Sequence, residues 1–169
     1  AIDNWGVCLG DAQGYYDIYR HGFSEHVARV QYALYLEEKA IAQALGVGIQ
    51  EYDEEDFYSR MSILGQEFMH KGFGTPLDQA TPDEMAMHFM PGERFSVDNR
   101  YVTEDVPVGL RIYQQLARGK AVLTPVIDSL VNLASAVLKR DFQKDCFTLE
   151  QLGLDGMTDG EIGKYLRGG

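Results

Sequence analysis

Arg100, Glu104 and Asp105 fall within one short stretch, "RYVTEDVPVGL", residues 100–110. A guanidinium grips a carboxylate through two parallel N–H donors. A neighbouring carboxylate can orient a base that titrates near neutral pH. Read for chemistry, these residues form the wall of a site that clamps an acid and positions a base. Read for structure, they start a helix. Asp105 is an N-cap type, Pro107 suits a first turn, and Glu104 complements the helix dipole. On residues 104–107 alone, the helix start is the stronger reading.

Other chemical motifs are missing. No GxGxxG occurs, and Gly46-Val47-Gly48 follows a helical pattern instead of a strand, so it is not a dinucleotide loop. There is no P-loop, HExxH or GxSxG. His21, His26, His70 and His88 are scattered; only His21 and His26, five apart across a loop–helix junction, approach ligand spacing, and solvated or core histidines are the stronger reading there. "DEEDFY" at 53–58 lacks the glycine and spaced ligands of a calcium loop. No metal site is expected. Cys8 and Cys146 stand far apart without a CxxC, which favours a reducing compartment over a disulfide framework.

The elements that must position Arg100 and Asp105 are helical. Ser24 opens the clearest one, with Val27, Val30, Leu34, Ile41 and Leu45 at helical spacing and Gly46 as its stop. A weaker helix runs from Asp53 to about residue 71, and "TPDE" at 81–84 opens a short one. "ERFSVDNRYV" reads as an extended connection, followed by a helix from Asp105 to about Arg118. Thr124-Pro125 opens another, whose buried face carries Ile127, Leu130, Val131, Ala134, Val137 and Leu138. "TLEQ" at 148–151 and "TDGE" at 158–161 are capping boxes, each expected to open a short helix. The chain reads as all-α, one helical domain over residues 1–169.

With 45% apolar residues the chain can bury a core, and its net charge of −11 without a basic cluster argues against nucleic acid. No apolar run is long enough to span a membrane, and no leader is visible, so the expected location is cytoplasmic.

The longer order is more specific. RY-x-x-ED-x-P-x-GL precedes a short helix, then "TPVIDSLVNLAS", then "LEQLGLDGMTDGEIGKYLRGG". Together these resemble the C-terminal domain of the octopine/nopaline (opine) dehydrogenase family. Upstream, "YYDIYRHGFSEHVARVQYALYLEEKAIAQALGV" is similar to the same family. There Tyr19, Gly22, Ser24, Val27, Ala28, Glu38, Ile41, Ala42, Ala44, Leu45 and Gly46 match. The departures are His21 for an acidic residue, Leu36 or Glu37 for an Asp, and Lys39 for an Arg.

The resemblance implies a multi-helix substrate domain of the opine and 6-phosphogluconate dehydrogenase type, preceded in the full-length enzyme by a Rossmann domain. NAD or NADP would bind there and not to this chain alone. The implied reaction condenses an amino acid with a 2-oxo acid and reduces the imine. Arg100 falls at the family's substrate-gripping position and Asp105 at the carboxylate of its His–Asp pair. The histidine itself is expected before Ala1, with His21 as a substitute only under another alignment. The isolated chain is then expected to be inactive, and a homodimer is compatible with its broad helix faces. Two other readings compete. One is a non-enzymatic helical dimerisation or interaction domain. The other is a glycerol-phosphate or hydroxyacid dehydrogenase type, which needs a lysine near Arg100; Lys71 and Lys120 are the closest in sequence.

Overall fold

A computed structural model of the protein describes residues 25–57, 98 and 100–168. Among the described residues every regular element is helical and there is no strand, as the sequence pattern leads one to expect. They belong to two compact units. One holds the described residues up to Tyr32 and those from Glu51 to Phe57. The other holds Ala33–Gln50 and the described residues from Asp98 onward.

Helix α1 (Glu25–Ala44) contributes to both units. Its apolar stripe buries Val27, Ala28, Tyr35, Ile41 and Leu45. Gly46 ends it with φ +67°, a conformation that costs an L side chain energy. The Gly46 N–H donates to the Gln43 carbonyl at 3.0 Å and the Val47 N–H to the Ala42 carbonyl at 2.9 Å. These two bonds satisfy the last carbonyls of the helix in a Schellman arrangement. The expected opening residue, Ser24, lies outside the described residues.

In the first unit, Asp53 caps the short helix α2 (Glu54–Asp56) by accepting the Asp56 N–H at 2.8 Å. The Phe57 ring packs against Tyr32 with centroids 5.3 Å apart. The remainder of the helix expected to reach residue 71, and the one opened by "TPDE", lie outside the described residues.

The second unit holds α3 (Arg100–Thr103), a π-helical turn (Asp105–Leu110), α4 (Arg111–Gly119), α5 (Pro125–Leu138) and α6 (Asp159–Leu166). Its core comprises Val102, Val106, Leu116, Ala117, Ile127, Val131, Ala134 and Phe142. Burying a large apolar side chain of this kind contributes roughly 1.5–3 kcal/mol. On α5, Ile127, Val131 and Ala134 are buried as the periodicity predicts, while Leu130, Val137 and Leu138 are half-buried.

Two expectations are corrected. Residues 100–103 are helical, not extended: Val102 and Val106, four apart, both sink into the core, so the chain is already coiled before Asp105. "TLEQ" makes both bonds of a capping box, Thr148 N–H to Gln151 Oε1 at 2.9 Å and Gln151 N–H to Thr148 Oγ1 at 3.2 Å, yet no helix follows. Gly153 takes φ +70° and the Leu154 N–H bonds the Leu149 carbonyl, which turns the chain and buries Leu154. "TDGE" does open α6, with Thr158 and Glu161 capping reciprocally.

Candidate functional site

The Arg100–Leu110 segment is held from one side. Val102, Val106 and Pro107 are buried, while Glu104 and Asp105 are exposed. Arg100 contributes its backbone to α3; its side chain lies outside the described residues. Pro107 has no N–H to return to the preceding turn, and the helix widens around it. Val108 donates to the Glu104 carbonyl at 3.0 Å, whereas Arg111 reaches back five residues to Val106. The Pro107 carbonyl receives the N–H of Phe147 at 2.9 Å. Asp105 is therefore the first residue of a π-turn. The cap position falls on Glu104, and no side chain caps it. Single π-turns occur frequently at functional sites, because the extra residue re-aims the side chains around it.

Behind this turn lies a buried polar network. Arg111 is 4% exposed. Its Nε donates to the Phe142 carbonyl at 2.9 Å, Nη2 to the Gln143 carbonyl at 3.0 Å, and Nη1 to Gln114 Oε1. The Gln114 amide passes on to Asp128 of α5. Gln115 bridges the Arg111 and Phe147 carbonyls at 3.0 and 2.8 Å. Loop 142–149 is thus tied to α4 directly after the π-turn. Buried polar groups rigidify when their partners are satisfied, and here the donating nitrogens named find a backbone carbonyl, an amide oxygen or a carboxylate. The sequence signal was the 111, 114, 115 spacing, which places three long polar side chains on one helix face.

A second relationship fixes α5. Thr124 stands at its N-cap without a side-chain cap bond, and Pro125 fills the first position. Glu37 of α1, 8% exposed, supplies the acceptors instead. It receives Val126 N–H on Oε1 at 2.7 Å and Ile127 N–H on Oε2 at 2.9 Å. Here a carboxylate meets both orphan amides and the positive end of the helix dipole. This role escaped the sequence reading. Its trace is that Glu37 and Glu38 sit between Leu34 and Ile41 on an otherwise apolar stripe.

Among the described residues no group of His, Cys, Asp and Glu could hold a metal ion, and no helix is long and apolar enough to cross a membrane. His21 and Cys8 lie outside the described residues. Cys146 is half-buried beside the Gln143 carbonyl.

Comparison with known proteins matches residues 6–138 to the family described as NAD/NADP octopine/nopaline dehydrogenase, alpha-helical domain. The chain is also similar to an opine dehydrogenase of Arthrobacter sp. (strain 1C), 43% identical over 63 residues. That stretch covers 37% of this chain and 18% of the relative, so the similarity spans under a fifth of that protein. The match to the family takes in α1, α3 with Arg100, the π-turn with Asp105, and α5, and the chain belongs to the octopine/nopaline dehydrogenase family through its alpha-helical domain.

Proposed function

We propose that this chain is the substrate-side domain of an NAD(P)-dependent opine dehydrogenase. The carrying observation is the family match across residues 6–138, which contains the whole Arg100–Leu110 segment. The reaction joins the amine of an amino acid to the carbonyl of a 2-oxo acid with loss of water. Hydride and a proton then reduce the imine to a secondary amine. Arg100 grips the carboxylate of the 2-oxo acid, where a guanidinium fork suits two oxygens. Asp105 holds the histidine that moves protons during dehydration and reduction, fixing its tautomer and stabilising its cationic form.

Gly46-Val47-Gly48 does not supply a pyrophosphate loop. Gly46 closes the C-terminus of α1, which presents carbonyls, and a pyrophosphate requires the amide end of a helix. In this reading the hydride donor is held by another domain of the full-length protein.

The test is Asp105→Asn in the full-length enzyme. Since Asp105 is exposed, stability should stay near wild type while kcat falls about a thousandfold or more. Arg100→Met should raise KM for the 2-oxo acid far more than for the amino acid. An Asp105→Asn enzyme with wild-type turnover rules the assignment out.

A further inference from the structure

The second unit contains a cleft of about 350 Å³ that Asp105 does not line. Ile41 of α1, Leu116 of α4 and Leu154 form its buried floor. Ile49, Tyr113 and Leu166 form a more exposed rim. Among the described residues, one charged side chain projects into this apolar lining, Glu38.

Glu38 is half-buried, and burial alone acts on its carboxyl, pushing its pKa up; no hydrogen bond or cation among the described residues offsets that burial. The Tyr113 hydroxyl is also pushed up, first by its own burial and then by the negative charge of Glu38. The carboxylate and the phenol therefore face one space. A carboxylate withdrawn from water without a partner is costly, and a fold that keeps one on an apolar wall gains when a cation arrives. The volume lies at the lower end of the range of small-molecule sites. Among the described residues no cationic side chain lines the cleft, so they would leave the carboxylate of a zwitterionic amino acid unmatched.

We propose that this cleft binds a small organic monocation, a primary ammonium on an apolar body, with the ammonium paired to Glu38 and the body against Ile41, Leu116 and Leu154. This goes beyond the dehydrogenase reading and does not depend on it.

The probe is phenethylammonium, with phenethyl alcohol and phenylacetate as near-isosteric controls. Each is titrated into the full-length protein while the methyl resonances of Ile41, Leu116 and Leu154 are followed. The amine should shift them saturably and bind about tenfold or more tightly than the alcohol, the size of one charge-assisted bond, and phenylacetate should bind least. Glu38→Gln should remove about that factor for the amine and leave the alcohol unchanged. Equal affinity for amine and alcohol, or an amine affinity indifferent to Glu38→Gln, overturns the proposal. So does a cleft already closed by a second copy or another segment, seen as shifts that follow protein concentration or as no response to any probe.

Discussion

The backbone N–H of Ile127 donates to the Glu37 carboxylate at 2.9 Å across ninety positions of sequence, and the adjacent Val126 N–H takes the other oxygen. One glutamate on α1 thereby serves as the N-cap of α5. The helix that supplies Ile127, Val131 and Ala134 to the core is oriented by a group outside itself.

Glu37→Leu should leave two amides unpaired in a buried setting and destabilise the protein by about 2–4 kcal/mol. Glu37→Gln keeps one acceptor and loses the charge facing the helix dipole, and should cost roughly half as much. Denaturant midpoints of the two variants check the order. A Glu37→Leu protein as stable as wild type contradicts the capping role.

Gly163 of α6 has no room for a side chain. A Cβ there would stand 2.7 Å from the Leu45 carbonyl, a backbone atom that cannot rotate away. Arg167 fixes the same contact by donating to the Gly46 carbonyl at 2.8 Å. Gly163→Ala should therefore cost about 1–3 kcal/mol despite alanine's better helix propensity. Hydrogen exchange should show the loss concentrated in residues 159–168.

Lys139 ends α5 with φ +51°, where the Arg140 N–H bonds the Ser135 carbonyl. This left-handed cap suits glycine, and lysine adopts it at a cost of about 1 kcal/mol. Lys139→Gly should raise the thermal midpoint, and Lys139→Val should lower it. A glycine variant no more stable than wild type would count against strain at this cap.

Glu38 and Glu161 should respond to pH with opposite signs. Burial raises the folded-state pKa of Glu38, so its favourable contribution is present below the unfolded pKa and disappears as pH rises through the folded value. Glu38→Gln should be more stable than wild type at neutral pH, with the difference closing as pH falls into the carboxylate range. At Glu161, the Thr158 hydroxyl and then its backbone N–H lower the pKa. Its contribution is present at neutral pH and is lost on acidification. Glu161→Gln should be the less stable protein at neutral pH, again converging with wild type in acid. Parallel melts across pH distinguish the two.

Some features followed from the sequence because their causes are local. The all-α character, the span of α1 up to Gly46, the start of α5 at Pro125 and the Thr158–Glu161 capping box each rest on residues within a turn or two of one another. Periodicity, the φ of glycine and proline, and cap chemistry act at that range. The order and spacing of several segments together, the Arg100–Leu110 pattern among them, were likewise enough to indicate the family. Tertiary structure decided what depends on distant partners. The π-turn at Asp105 forms where Val102 and Val106 enter the core and the Pro107 carbonyl meets Phe147, forty residues on. "TLEQ" stops at a turn, although its capping bonds form, because the chain bends to bury Leu154. Glu37 and Glu38 are neighbours of one type on one helix, yet one caps α5 and the other stands in an apolar cleft. A helix places adjacent side chains about 100° apart, so the surrounding elements alone determine what each of them meets.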